Sequence, residues 1–163
     1  MKYTNILSLS LLAMALAVTG CSEKTKTGDA DKDAKTTKTG DEPKEHAHGT
    51  GPNGGVVFDL GKYHAEFTVD HPKAECTILI LGDDEKTPTP IDAEEFTLTT
   101  KETKTEEGQV VPPMTVKMLP QDASDGKASK FVGSDPGIGN VADFEGTVIG
   151  EIDGKPAQGE FKE

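Results

Sequence analysis

The chain has 163 residues, of which 29 are acidic and 17 are basic, so its formal net charge at pH 7 is −12. All of the basic residues are lysine. Binding to nucleic-acid phosphates favours a basic face with the forked guanidinium groups of arginine, so this composition argues against a nucleic-acid partner. The length suits one ordinary domain, and two cysteines are too few for a disulfide framework.

The N-terminal segment has the pattern of a signal peptide. Residues 1–5 are polar with one positive charge, and residues 6–18 are apolar apart from two serines. A run of 13 residues is too short for a membrane-spanning helix, which needs about 20, but it suits the apolar region of a signal peptide. It ends in an aliphatic residue, two small residues and a cysteine, Val18-Thr19-Gly20-Cys21.

This ending resembles the lipobox of bacterial lipoproteins. The resemblance implies that residues 1–20 are a cleaved signal peptide, that cleavage follows Gly20, and that Cys21 carries lipid at the mature N-terminus. Several acyl chains together would anchor the protein stably in a membrane. The implied location is the cell envelope, on the extracytoplasmic, periplasm-facing side. The residue after Cys21 is Ser22 and not aspartate, and by this resemblance it implies the outer rather than the inner membrane of a Gram-negative cell.

A polar segment separates this anchor from the rest of the chain. Residues 22–49 contain only three apolar residues, all alanine, with six lysines and seven acids. Such a segment cannot bury enough surface to offset the entropy of ordering. We therefore predict that residues 21–49 are a lipidated cysteine and a disordered tether, which as a flexible coil would reach about 30 Å.

Residues 50–163 have the composition and periodicity of an all-β domain. Apolar residues alternate with polar ones, as at Tyr63, Ala65, Phe67 and Val69, and no window shows a sustained helical period. About seven or eight short strands separated by turns indicate an antiparallel sandwich or barrel. We favour the sandwich, of the immunoglobulin-like type, for residues 50–163.

Glycine and proline predict where several strands begin and end. Asp153-Gly154 is typical of a hairpin turn into the last strand. Pro112-Pro113 predicts that the following strand starts at Met114 or lies at a sheet edge, because proline cannot donate to a ladder. Residues 120–139 are predicted to be the longest loop, with one helical turn.

The histidines are the main candidates for metal chemistry. All four lie within 26 residues, and two of them share one face of any extended segment at His46-Ala47-His48. On a strand, His64 and Glu66 also share a face. Imidazole and carboxylate groups could bind Zn²⁺ or Cu²⁺. The alternative is a set of solvated side chains without a ligand. The candidate ligands are His46, His48, His64, Glu66 and His71.

Three short stretches carry a family resemblance. They are HAHG at residues 46–49, GPNGG at residues 51–55 and YHAE at residues 63–66. Together they resemble small bacterial lipoproteins with a GPHGG…YHAE signature, and they are similar to segments of the periplasmic adaptor proteins of heavy-metal efflux systems. The resemblance implies a sandwich fold, an extracytoplasmic location and a role in metal handling. Asn53 stands where the signature has histidine.

The remaining motifs give no indication of catalysis. Cys76 shares the apolar face of Ile78 and Ile80, which predicts a buried core residue rather than a nucleophile. No nucleophile elbow, zinc-protease motif or phosphate-binding loop is present in the sequence. Acidic pairs such as Asp83-Asp84 do not fit a calcium-binding loop and are interpreted as solvated charge. We do not expect an enzyme.

Two functional hypotheses therefore remain. The first is a lipid-anchored envelope lipoprotein that presents its acidic β-sandwich as a binding or interaction module, with an envelope protein or a transporter as candidate partner. The second is a metal-binding accessory protein, for Zn²⁺ or copper, in a system that handles or exports heavy metals. The histidines distinguish the two hypotheses, because only the second requires them to meet around a common point.

Overall fold

A computed structural model describes residues 48–163. The signal peptide, the lipidation site Cys21, most of the tether and His46 lie outside the described residues. Within residues 48–163 no helix is long and apolar enough to cross a bilayer. This part of the chain forms ten strands: β1 (Val56–Leu60), β2 (Tyr63–Asp70), β3 (Glu75–Leu81), β4 (Phe96–Thr100), β5 (Thr103–Lys104), β6 (Val110–Val111), β7 (Thr115–Gln121), β8 (Lys130–Ser134), β9 (Glu145–Ile152) and β10 (Lys155–Lys162).

Eight of these strands form one antiparallel sheet in the order β1-β2-β3-β8-β7-β4-β9-β10, while β5 and β6 pair separately. Strand β7 changes partner along its length: Thr115–Met118 pair with β4, and Leu119–Gln121 pair with β8. A strand that changes partner in this way lets a sheet fold over onto itself and enclose a core. The predicted antiparallel all-β fold is confirmed, with the sheet curled into a near-barrel.

The apolar face of the sheet encloses a core rich in phenylalanine. The rings of Phe67 and Phe161 lie 4.2 Å apart between centroids, and those of Phe96 and Phe131 lie 4.7 Å apart. Burial of each large apolar side chain contributes about 1.5–3 kcal/mol, so this cluster supplies much of the stability of the domain. All six phenylalanines of the chain are buried: Phe58, Phe67, Phe96, Phe131, Phe144 and Phe161.

Strands β1 and β10, at the two ends of the sheet order, lie side by side without sharing a ladder. A Cβ atom at Gly159 would lie 2.2 Å from the carbonyl oxygen of Asp59. Only glycine permits so close an approach of one backbone to another. Gly159 therefore allows β10 to pack against β1, and we call this contact the β1–β10 seam.

The turn predictions agree with the structure in two places and fail in one. The hairpin between β9 and β10 turns at Asp153 and Gly154, both with positive φ, and β7 starts at Thr115 after the two prolines. The prediction of a loop over residues 120–139 was wrong, because this stretch contains the central strand β8. Its helical turn is present as a 3₁₀ helix at Pro136–Gly139, and a second one spans His71–Lys73.

Cys76 lies in the core, as its position in the apolar pattern predicted. The side chain is 1% exposed, and its sulfur lies 3.6 Å from the sulfur of Met118. Burial raises the pKa of the Cys76 thiol to about 12. Since the thiolate is the reactive form, burial disfavours reaction of this cysteine in the folded protein.

Candidate metal site

Two histidines and two carboxylates meet at one end of the β1–β2–β3 part of the sheet. We call the group formed by His48, Asp59, His64 and Glu85 the histidine–carboxylate cluster. Nitrogen or oxygen atoms of His48, Asp59 and His64 all lie within 4.8 Å of one another, and Glu85 closes the group through contacts with both imidazoles. The cluster draws on four separate stretches of chain.

The register of the first hairpin places two members of the cluster opposite each other. Leu60 pairs with Tyr63 across a two-residue turn that begins at Gly61, and Asp59 therefore pairs with His64. Gly61 has a positive φ of 65°, which glycine adopts without strain. Directly opposite residues in an antiparallel pair have side chains in contact range. The turn thus fixes the carboxylate beside the imidazole.

A backbone carbonyl sets the orientation of His64. Its Nδ1 lies 3.1 Å from the carbonyl oxygen of Gly82, which can only accept a hydrogen bond, so Nδ1 carries the proton and donates. In the neutral ring, the lone pair is then on Nε2. That atom lies 3.4 Å from Oδ1 of Asp59 and 3.6 Å from Oε1 of Glu85. His64 therefore directs a metal-binding atom toward two carboxylates.

His48 is oriented in the same sense by a carboxylate. Its Nδ1 lies 3.0 Å from Oε1 of Glu85 and donates to it, while its Nε2 lies 3.5 Å from Oδ2 of Asp59. The hydrogen bond from His48 holds the pKa of Glu85 below its usual range. The rings of His48 and His64 meet edge to face, with centroids 5.4 Å apart. Both imidazoles thus turn Nε2 toward Asp59.

The turn that carries Glu85 is held in shape by its neighbour. The carboxylate of Asp84 accepts hydrogen bonds from the backbone amides of Lys86 and Thr87 and from the Thr87 hydroxyl. These bonds, that of the Thr87 hydroxyl foremost, lower the pKa of Asp84 to about 2. Glu85 itself has a positive φ of 56°, a conformation that costs a residue other than glycine some strain. The strained backbone directs the Glu85 carboxylate back over the sheet.

The donor atoms fit a transition-metal ion. Ligand bonds of about 2.0–2.1 Å in a tetrahedral zinc site separate neighbouring ligand atoms by roughly 3.4 Å. Nε2 of His64 lies 3.4 Å from Oδ1 of Asp59, and Nε2 of His48 lies 3.5 Å from Oδ2 of the same carboxylate, both near this separation. The imidazoles are mostly buried, with 14% and 17% of the side chain exposed, whereas the carboxylates of Asp59 and Glu85 are 31% exposed. A cation could therefore enter from solvent.

The electrostatics of the cluster favour a positive charge at its centre. With Nδ1 of each ring donating, a neutral imidazole presents its lone pair to carboxylate oxygens, and this arrangement is repulsive. A proton on Nε2 or a bound metal cation would remove the repulsion. The geometry thus has two chemical solutions, an imidazolium–carboxylate network and a metal site, and they differ in their affinity for Zn²⁺.

Glu66 stabilises a loop and does not take part in the histidine–carboxylate cluster. Its carboxylate is fully buried and accepts three hydrogen bonds, from the backbone amide of Asn53 at 2.8 Å, from the Asn53 side-chain amide at 2.8 Å and from the backbone amide of Gly55 at 2.9 Å. A Cβ atom at Gly51 would lie 2.4 Å from the Glu66 Cδ atom. The glycines of residues 51–55 thus let the loop close around a buried charge.

This loop also anchors the segment that carries His48. Thr50 forms an isolated bridge with Val56, and Gly51 and Gly55 are joined by a backbone hydrogen bond of 3.0 Å. His48 lies two residues before this bridge. The loop therefore sets where His48 meets the first hairpin.

The remaining predicted ligands lie elsewhere. His71 is on the 3₁₀ helix that follows β2, and its Nδ1 donates to the carbonyl oxygen of Ile138 at 2.9 Å. His46 is outside the described residues. Of the five candidates from the sequence, the structure brings His48 and His64 together and places Glu66 and His71 in other contacts.

Sequence reasoning missed the two carboxylates of the cluster. Asp59 could have been found from the two-residue spacing at Gly61-Lys62, since a hairpin with this turn pairs Asp59 with His64. Glu85 gave no such signal, because its approach to the histidines depends on a positive φ in a turn of acidic residues.

Comparisons with known proteins found no relative of this chain. The chain matches no family model, no curated protein and no solved structure.

Proposed function

We propose that this protein is an extracytoplasmic, lipid-anchored metal-binding protein, and that the histidine–carboxylate cluster binds Zn²⁺ or Cu²⁺. The observation that carries the proposal is the convergence of two Nε2 atoms on Asp59, each ring being fixed by a hydrogen bond from its Nδ1. Metal-binding histidines typically donate their second N–H to a carboxylate or a backbone carbonyl in this way.

The ligand chemistry narrows the class of cation. Imidazole nitrogen suits zinc and copper, whereas calcium and magnesium prefer sites made of oxygen alone. With two imidazoles beside Asp59, the cluster is a poor match for the hard cations. The acidic surface supports the same role, since 22 acids against ten lysines in residues 50–163 would attract divalent cations to the domain.

The N-terminal motif supplies the proposed location. Anchored by lipid at Cys21, the domain would stand outside the cytoplasm on a polar tether, in the compartment where envelope systems collect or export metals. A role as an accessory protein that buffers or delivers zinc or copper, with a transporter or another envelope protein as partner, is consistent with this placement and with the resemblance to efflux adaptors.

A separate observation supports the interaction-module hypothesis. A groove of about 770 Å³ is lined by acidic side chains and by Ile149, which is 51% exposed on β9. Such a surface would suit a basic partner. The acids are Asp92, Glu94, Glu95 and Glu151. The interaction-module hypothesis would be favoured over the metal-binding one if the protein had no affinity for transition metals.

Titration of the full-length protein with Zn²⁺ tests the metal proposal. We expect one equivalent to bind with a micromolar or tighter dissociation constant in isothermal titration calorimetry, and EDTA to remove it. At a free Zn²⁺ concentration 100 times the dissociation constant, the free energy of unfolding should rise by about 2.7 kcal/mol. Millimolar affinity, or an unchanged melting temperature in saturating Zn²⁺, would leave the imidazolium–carboxylate network as the correct description.

Mass spectrometry of the mature protein tests the anchor. We expect an N-terminal peptide that starts at Cys21 and carries the mass of attached acyl chains. Replacement of Cys21 by serine should abolish the lipid and release the protein from the membrane fraction. A mature N-terminus at any other residue, without lipid, would contradict the assigned location.

A further inference from the structure

One turn orients both imidazoles of the histidine–carboxylate cluster. The carbonyl oxygen of Gly82 accepts from Nδ1 of His64, and the carboxylate of Glu85 accepts from Nδ1 of His48. These two acceptors lie three residues apart, and the backbone amide of Glu85 donates to the carbonyl oxygen of Gly82. The two rings are therefore set by a single local structure.

Several hydrogen bonds cross-link the backbone of this turn. A backbone hydrogen bond of 3.0 Å joins Gly82 to Thr87, and the Asp84 carboxylate accepts three further bonds from inside the turn. In this turn the Glu85 carboxylate already accepts the hydrogen bond from Nδ1 of His48. Its Oε1 atom is closer to Nδ1 of His48, at 3.0 Å, than to Nε2 of His64, at 3.6 Å.

We propose that Glu85 is a positioning residue rather than a metal ligand, and that the site takes a small monodentate anion as an external fourth ligand. The inference rests on the proposed metal-binding function. Among residues 48–163 the cation would then be held by three protein groups, His48 Nε2, His64 Nε2 and the Asp59 carboxylate. Zinc sites with four protein ligands are closed and structural, whereas sites with three keep a position for an exchangeable ligand.

The surroundings of the cluster give such an anion access. A groove of about 550 Å³ reaches His48 and Asp59 along the β1–β10 seam. Lys162 lines this groove together with Glu160, and it lines an adjoining recess together with Glu163, so the attraction for an anion would come from the bound cation. An open position would let the bound metal exchange ligands readily, as a buffering or delivering protein needs and a purely structural site does not.

Cobalt and azide provide the test, because Co²⁺ occupies zinc-type sites and its visible absorption reports the ligands. Full-length protein is loaded with Co²⁺ and titrated with sodium azide, alongside Glu85→Gln and, as a matched control outside the cluster, Glu94→Gln. We expect azide to shift the Co²⁺ spectrum saturably in the parent protein and in both variants. Glu85→Gln should bind Co²⁺ about 10–100-fold more weakly, as loss of an outer-shell partner does.

Each other outcome has a distinct meaning. If Co²⁺ binds and azide changes the spectrum only in Glu85→Gln, then Glu85 is the fourth ligand and the inference is overturned while the metal-binding function stands. If Co²⁺ binds and azide has no effect on any protein, the fourth position is closed and the inference is again overturned. If Co²⁺ and Zn²⁺ both fail to bind the parent protein, the proposed function itself fails.

Discussion

Replacement of His64 by alanine is expected to weaken Zn²⁺ binding by at least about 100-fold, beyond the range for loss of an outer-shell partner. The side chain contributes one of the two Nε2 atoms that face Asp59, and its ring is already fixed by the Gly82 carbonyl. Removing it leaves one imidazole and a carboxylate, which is too few protein ligands for a stable zinc site. Calorimetric titration of the full-length protein gives the affinity directly.

The chain offers a matched control for this experiment. His71 is a histidine of the same domain, hydrogen-bonded to Ile138 and not part of the histidine–carboxylate cluster. We expect His71→Ala to leave the affinity for Zn²⁺ within about twofold of the parent value, since it removes no ligand. Equal losses in His64→Ala and His71→Ala would show that Zn²⁺ binds nonspecifically to exposed histidines. An unchanged affinity in His64→Ala would remove the cluster as the binding site.

Replacement of Glu66 by alanine is expected to lower the free energy of unfolding by about 3 kcal/mol or more, since hydrogen bonds to a charged group are worth about 1.5–3 kcal/mol each. The carboxylate is fully buried and accepts three such bonds from Asn53 and Gly55. The variant also leaves a cavity beneath the loop of residues 51–55. Equilibrium unfolding in urea, followed by circular dichroism, measures the loss.

A graded pair of variants separates this effect from the removal of negative charge in general. Asn53→Ala deletes only the side-chain donor, so we expect a loss of about 1.5–3 kcal/mol, the value of a single hydrogen bond to a charged group. Glu94→Ala removes an exposed carboxylate, and we expect a change within about 0.5 kcal/mol. If Glu66→Ala were as mild as Glu94→Ala, the buried carboxylate could not be what holds the loop.

The sequence predicted the fold where the pattern was local. Alternation marked β2 and β3, and Asp153-Gly154 marked the last hairpin, because side-chain period and turn chemistry are properties of a few adjacent residues. Strand β8 gave no such signal. Its apolar residues Phe131 and Val132 are adjacent in sequence, and the strand is specified by pairing with the preceding strand β7 and with β3, which is distant along the chain.

The candidate site was predicted in part for the same reason. His48 and His64 stand out by residue type, whereas Asp59 and Glu85 are two acids among 29 and are selected only by register and by a strained turn. Glu66 shows the opposite case, since its spacing from His64 suggested a shared ligand set. In the structure its carboxylate instead accepts hydrogen bonds from the backbone amides of Asn53 and Gly55. These contacts depend on how the loop folds back.

The close approach at Gly159 has a consequence for the behaviour of the protein at high concentration. A sheet that ends in free strands offers unpaired amides and carbonyls to other chains, and proteins that leave such edges open tend to aggregate. Here the two terminal strands, β1 and β10, cover each other at the seam. The contact thus restricts access of other chains to these two edges, although no hydrogen-bonded ladder joins β1 to β10.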